Sequence, residues 1–186
     1  MNEDNLLLKA FKSGNRAAFG ELVRKYQDRI CNLCRHMLAD PDDADDAAQD
    51  TFVKAFQGAK GFTPTSTFYT WLYRIAVNTC LDYQRKYSLR SLFFPPGKEE
   101  HLDIIPSAAP SPETACADKQ SIHALSVALL RLSKKLRTVI VLKELEGLSY
   151  EEIAEVLDVS VGTIKSRISR AREDLKNYMQ EFTEQK

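Results

Sequence analysis

The chain has 186 residues, room for one domain or two small ones. Its 26 Lys and Arg balance 26 Asp and Glu, a formal net charge of zero. This excludes a protein that is basic all over, so any charge meant for nucleic acid must be local and offset by acid elsewhere. No window approaches ~18 apolar residues, so no membrane span is expected. The start MNEDNLLLKAFKSGN lacks the basic and apolar runs of a signal peptide. With Cys31, Cys34, Cys80 and Cys116 as its cysteines, the chain is expected to be cytoplasmic with reduced thiols.

A short first helix is predicted over Asn5 to Lys12, ended by Ser13-Gly14. Asn15 can cap a long second helix with Phe19, Leu22, Val23, Tyr26, Ile30, Leu33 and Met37 at helical spacing. It should stop near Asp40-Pro41, because the residue before proline disfavours helix. Within it Cys31 and Cys34 form a CxxC with His36 nearby. A metal is not expected, since zinc wants four ligands and no second pair stands at ligand spacing. The two thiols read as small buried hydrophobes, with a redox pair as the alternative.

A third helix is predicted from about Asp42 to Ala59. Its aspartates at 42 to 46 suit a helix N-terminus, worth ~0.3–1 kcal/mol each. Asp50 lies too far in for that account. Ala48, Phe52 and Phe56 are expected to form the buried stripe, which leaves Asp46, Gln49, Asp50 and Val53 outward. An acidic face repels DNA, so it should meet a basic protein surface instead.

A fourth helix should run from Ser66 or Thr67 to Tyr87. Phe68, Leu72, Ile75, Ala76 and Tyr83 are its expected core face. Beside it runs a stripe of Trp71, Arg74, Asn78, Asp82 and Arg85. Aromatic and cationic groups side by side can stack unpaired bases and hold phosphates, at ~1–3 kcal/mol per base. Equally, an aromatic stripe can be core. The loop Gly61-Phe62-Thr63-Pro64-Thr65-Ser66 before it could cup a flipped-out base.

From Ser88 to Ala117 the helical period is lost, and prolines stand at 95, 96, 106, 110 and 112. This reads as an extended, flexible connector between two helical domains. Phe93, Phe94, Ile104 and Ile105 are apolar for a free tether and suggest that it docks. A helix from Asp118 to Leu132 should turn Leu125, Leu129 and Leu132 inward. Ser133 can cap the next, Lys134 to Glu146, with Leu136, Val139, Ile140, Leu142 and Leu145 as its apolar face.

The last stretch reads as two helices joined by a tight turn. Ser149 with Glu152 makes a capping box, and Ile153, Ala154 and Leu157 face inward. Ser160 caps the next helix, with Ile164, Ile168, Ala171 and Leu175 on one face. Gly162, Lys165, Ser166, Ser169 and Arg170 fall opposite, small and basic near the helix start. A recognition helix in a major groove needs that pattern. A solvated surface helix is the plain alternative.

The fold class is therefore all-α: two small helical domains, 1–88 and 118–186, joined by a flexible linker, 89–117, with a helix-turn-helix in the C-terminal domain. No nucleophile–base pair, metal set or phosphate loop appears, so an enzyme is not expected, nor a cofactor or small-molecule substrate.

Three motifs in order sharpen this: Asp43-Ala44-Asp45-Asp46 through Gln49-Asp50-Thr51-Phe52, Phe68-Tyr69-Thr70-Trp71-Leu72-Tyr73-Arg74-Ile75-Ala76-Val77-Asn78, and Ser149-Tyr150-Glu151-Glu152-Ile153-Ala154 through Val161-Gly162-Thr163-Ile164-Lys165-Ser166-Arg167. Together they resemble the extracytoplasmic-function (ECF) sigma factors, the two-domain members of the sigma-70 family. The resemblance implies that the acidic helix docks on the β′ clamp helices of bacterial RNA polymerase core through Asp46, Gln49, Asp50 and Phe56. It implies that Phe62, Thr63, Phe68, Trp71, Arg74 and Asn78 read and melt the −10 promoter element. The C-terminal domain would read the −35 element and rest on the β-flap. There Lys165, Ser166, Ser169 and Arg170 would face base edges, and Thr163, Arg167 and Arg172 would hold phosphates. It also implies an anti-sigma factor as partner. Two departures bear on promoter preference: Ser169 is small where relatives often carry an aromatic, and Thr63-Pro64-Thr65 replaces a more charged loop.

An ordinary helix-turn-helix regulator would need a receiver or ligand-binding domain, but the N-terminal half has no βα repeats. A sigma mimic that sequesters anti-sigma proteins would have no need of Lys165, Arg167, Arg170 and Arg172.

Overall fold

The computed structural model describes residues 3–63, 66–93 and 124–184, all helix or short connection with no strand among them. The helices are α1 (Glu3–Lys12), α2 (Arg16–Met37), α3 (Pro41–Ala59), α4 (Phe68–Phe93), α5 (124–131), α6 (Lys134–Ile140), α7 (Tyr150–Leu157) and α8 (Val161–Glu184). Most of the tether predicted at 89–117, and the first part of the helix predicted after it, lie outside the described residues. What is described of that stretch corrects its start: α4 runs on to Phe93, six residues past Tyr87.

Local signals place the N-terminal helices as expected. Asn15 caps α2 by accepting from the Ala17 N–H at 3.1 Å. Asp40 caps α3, accepting from Asp43 N–H at 2.9 Å, and Pro41 takes the first helical position, where its missing N–H costs nothing. The α2–α3–α4 core is built from Leu22, Ile30, Leu33 and Met37 against Ala44, Ala47, Ala48, Ala55 and Ala59, and then Phe68, Leu72, Ala76 and Val77, all buried. Alanine dominates the inner face of α3, so the helices approach closely. Phe56 is not part of that stripe. It is 42% exposed and packs with Phe11 and Phe19 at 5.2 Å in a three-ring cluster at the molecular edge.

The inner face of α4 also differs from its predicted one. Tyr73 and Cys80 are fully buried, whereas Ile75 and Tyr83 are half-buried. The buried set is wider than one stripe because α4 is covered on several sides, by α2, α3 and α7. Cys34 and Cys80 meet across α2 and α4 with their sulfurs 3.5 Å apart, while Cys31 is only half-buried. The contact with Cys80 and burial raise the Cys34 thiol well above its ordinary pKa, and so hold it protonated.

In the C-terminal half, Ser133 caps α6. The chain then widens into a π turn over Val141–Leu145. That turn changes the register of everything after Leu142. In a regular helix Leu145 would follow Leu142 onto the core side. With an extra residue in the turn, Leu145 swings out to 43% exposure and Glu146 comes in at 8%. Gly147 (φ 73°) then reverses the chain into α7, a conformation that suits glycine. Leu125, predicted inward, is also exposed, while Leu129 and Leu132 are buried.

Ser149 and Glu152 form the full capping box: Ser149 Oγ accepts from the Glu152 N–H at 3.1 Å, and Glu152 accepts from the Ser149 N–H at 2.8 Å. α7 ends with Asp158 in the left-handed region (φ 52°), and Asp158 and Val159 both donate to the Ala154 carbonyl. Ser160 caps α8 through the Thr163 N–H at 3.2 Å. Ile153, Ile164, Ile168 and Ala171 close the small core between these helices, with Val156 buried and Leu157 half-buried. Each buried isoleucine is worth ~1.5–3 kcal/mol.

Candidate functional site

Three solvent-facing surfaces gather the residues singled out in the sequence. On α3, Asp46, Gln49 and Asp50 are exposed beside Val53 (53%) and Phe56 (42%). An acidic row with two large exposed apolar groups does not suit nucleic acid. It suits a protein surface that offers cations around an apolar patch. Asp50 is held from behind by the Tyr83 hydroxyl at 3.0 Å. Burial and that carboxylate push the Tyr83 phenol up to about 12, so it stays a donor at any physiological pH.

The second surface lies on α4 and the loop before it. Thr63, Arg74 and Asn78 are exposed and Trp71 is half-buried. Phe62 (7%) and Phe68 (2%) do not join them. Their rings lie behind Trp71 at centroid distances of 4.9 Å and 5.7 Å and brace it from the core side. In this arrangement both rings face the core and pack against Trp71 instead of standing on the surface. Two further residues position this surface. Lys12, at the end of α1, donates to the Phe62 carbonyl and lies 6.0 Å from its ring, which ties the loop to α1. Gly58 of α3 lies under Trp71: a Cβ there would be 3.0 Å from Cζ2 and 3.4 Å from Cη2 of the indole. A glycine inside a predicted helix costs ~1 kcal/mol and so signals a close approach, although sequence alone cannot say to what. Nothing in the sequence points to Lys12.

The third surface is the outer face of α8. Lys165, Ser166, Ser169 and Arg170 are exposed, as is Gly162 at its start, while Thr163 and Arg167 are half-buried. This is the face a groove would see, with short side chains first and cations further along. Lys165 lies 5.9 Å from the ring of Tyr150, which also carries Lys143 at 4.9 Å. Arg172 is exposed but engaged. Its Nε and a terminal nitrogen donate to Glu144 Oε1 at 3.0 and 2.6 Å.

The two halves touch. α7 packs against α4, and the π turn against α2. Glu146 accepts from Tyr73 Oη and from Arg29 Nε (3.4 Å), and its carbonyl accepts from Arg29 at 2.7 Å. Arg74 donates to the Glu155 carbonyl at 2.5 Å, and Arg137 to the Met37 carbonyl at 3.0 Å. Lys134 reaches the Gln84 carbonyl and Ser88 Oγ, both at 3.1 Å. No sequence signal links these residues, because their contacts join positions tens of residues apart.

Comparison with known proteins follows the same division. Residues 22–90 match the family model for sigma-70 region 2, and residues 122–175 match that for sigma-70 region 4. The chain is 36% identical over 185 residues to the ECF RNA polymerase sigma-E factor of Haemophilus influenzae, covering 95% of both proteins. It is 36% identical over 180 residues to the ECF RNA polymerase sigma factor SigW of Bacillus subtilis, covering 94% of this chain and 96% of SigW. Among solved structures it is similar to CnrH in complex with the cytosolic domain of CnrY (TM-score 0.72, 29% identity, 96% of this chain and 98% of CnrH). It is also similar to the Bartonella quintana sigma factor RpoE in complex with the anti-sigma factor NepR (TM-score 0.72, 27% identity, 87% and 96%). No described helix is long and apolar enough to cross a membrane. With regions 2 and 4 in order and near-full-length similarity to curated members, the chain belongs to the ECF sigma factors of the sigma-70 family, which are non-catalytic.

Proposed function

We propose that the chain works in the cytoplasm as a promoter-specificity subunit with its labour divided among the three surfaces. The α3 face of Asp46, Gln49, Asp50 and Phe56 docks on the β′ clamp helices of core polymerase. Trp71, Arg74, Asn78 and Thr63 take the melted −10 strand, with Phe62 and Phe68 holding Trp71 in place. The α8 face of Lys165, Ser166, Ser169 and Arg170 reads −35 bases, with Thr163, Arg167 and Arg172 on phosphates and the C-terminal domain resting on the β-flap. The observation that carries this reading is the segregation of charge. The exposed acidic and apolar row lies on region 2, and the exposed basic face lies on a region 4 helix. An anti-sigma factor is proposed as its regulator, because RpoE of Bartonella quintana was solved with one.

Transcription in vitro with purified core polymerase on a library of bacterial promoter fragments tests the reading. Transcripts that appear only with the chain present, and that share two spaced upstream motifs, are expected. Failure to bind core, or transcripts identical to those of core alone, would refute it.

A further inference from the structure

The CxxC of α2 has no part in any of the three surfaces. Cys34 is fully buried, and its Sγ lies 3.5 Å from Sγ of Cys80 on α4, which is also fully buried. The two sulfurs touch without a bond. A disulfide needs ~2.0 Å, an approach of ~1.5 Å that side-chain rotation and a slight helix shift can supply. Cys31 lies one turn back on the same face of α2 and is half-buried. Ideal helix geometry puts its Cα about 5 Å from that of Cys34, inside the ~4.4–6.8 Å range of bridged cysteines.

Packing alone explains two buried thiols, which fill space as small hydrophobes do. It gives no reason for a third on the same line that reaches solvent. Buried thiols are slow to react, because the thiolate is the reactive form and burial disfavours it. Cys34 and Cys80 have no direct access to solvent, so an oxidant has to enter at Cys31. Burial pushes the Cys31 thiol up as well, so entry needs sustained oxidant rather than a trace.

We infer that Cys31, Cys34 and Cys80 form a thiol relay that takes up oxidising equivalents from a peroxide at the surface of α2 and stores them as a reversible Cys34–Cys80 disulfide between α2 and α4. The Cys31 thiolate attacks one peroxide oxygen, the O–O bond breaks, and hydroxide leaves, which makes Cys31 a sulfenic acid. Cys34 Sγ attacks that sulfur, the S–O bond breaks, and the hydroxyl departs as water with the Cys34 proton. Cys80 Sγ then attacks Cys34 Sγ, and Cys31 leaves as thiolate and takes the Cys80 proton. In sum, two thiols lose two electrons and two protons, and one hydrogen peroxide becomes two waters. The bond pins α4 to α2 two positions beyond Asn78. In a close-packed core such a pull moves helix backbone as well as side chains. The oxidised chain should therefore open promoters less well, a consequence that rests on the reading of α4 as the −10 surface.

The full-length chain is treated with excess hydrogen peroxide, alkylated and digested with trypsin. This yields Ile30–Arg35, with both CxxC thiols, and Ile75–Arg85, with Cys80. Wild type should give these two peptides joined through Cys34, and a thiol reductant should release them. Cys31→Ser should form the same link at least about ten-fold more slowly. Cys80→Ala should stop at a Cys31–Cys34 disulfide within one peptide. Circular dichroism checks each fold. Oxidised wild type should melt at least about 5 °C above the reduced chain, because the link joins residues 46 positions apart. No link in wild type, a link through Cys31 instead of Cys34, or an equal rate in Cys31→Ser would overturn the relay. For function, the chain is oxidised, freed of peroxide and assembled with core without reductant, and permanganate reads promoter opening. Reduction should raise opening several-fold. Equal opening by the two forms would overturn the effect on α4 and leave the functional assignment standing. Failure of the reduced holoenzyme to transcribe would remove that assignment, and the peptide map would still decide the relay.

Discussion

Gly58→Ala isolates what the close approach beneath Trp71 does. Two opposed effects can be sized from the structure. Alanine in place of glycine favours a helix interior by up to about 1 kcal/mol, and less here because Gly58 is the penultimate residue of α3. Against this, the new methyl would stand 3.0 Å from Trp71 Cζ2, closer than carbon atoms pack. Overpacking costs ~1–3 kcal/mol, and the low end applies because Trp71 is half-exposed and can tilt outward. Stability should therefore change little, by between zero and about 1 kcal/mol of loss. The indole should move by several tenths of an ångström, and it packs on Phe62, so the loop entering α4 should move with it. Chemical denaturation reads the first effect, and permanganate reactivity of unpaired promoter thymines in holoenzyme reads the second. The expected result is near-native stability with impaired promoter opening, in the direction of Trp71→Ala but smaller. A variant stabilised by about 1 kcal/mol with wild-type permanganate reactivity would refute the idea that the glycine is there to seat the tryptophan.

Ser149→Ala removes one half of the capping box on α7 and should lower stability by about 1 kcal/mol in chemical denaturation; an unchanged midpoint would mean that neighbouring helices hold α7 without its cap. Arg170→Ala should weaken −35 duplex binding by holoenzyme by ~1–3 kcal/mol and relax the preference at one base position, whereas a uniform loss across sequences would place it on phosphate instead. Glu144→Ala frees Arg172 from its carboxylate partner. Duplex binding should tighten several-fold with a steeper salt dependence, and Arg172→Ala should flatten the log–log salt slope by about 1. If neither substitution moves the slope, Arg172 does not reach DNA.

The helices and their caps were legible because their causes are local. Asn15, Ser133, Ser149 and Ser160 act within three residues of themselves, and each caps the helix expected of it. The acidic face of α3 and the basic face of α8 were legible because helical period alone separates them from the core. What failed was nonlocal or depended on register. Phe62 and Phe68, which the resemblance set on the −10 surface, are buried behind Trp71, and burial of a loop residue such as Phe62 is not visible in sequence. Leu145 and Glu146 exchanged places because one wide turn shifts every later residue, and no residue in VLKEL announces such a turn. Arg29 lies 117 positions from Glu146, so their pairing could not be read from either segment.

That exchange sets the chemistry of the contact between the two halves, where Glu146 meets Tyr73 and Arg29. If Leu145 were in the core and Glu146 in water, the C-terminal domain would carry its carboxylate on the surface and offer region 2 only apolar area. A purely apolar junction of this kind would close more tightly and open reluctantly, since parting it would expose hydrophobic surface at ~25 cal/mol per Å². With Glu146 inside, the junction is closed by a charge that its own seat on region 2 selects, and each charged group recovers hydration on opening. The contact is then held by a few polar bonds more than by area.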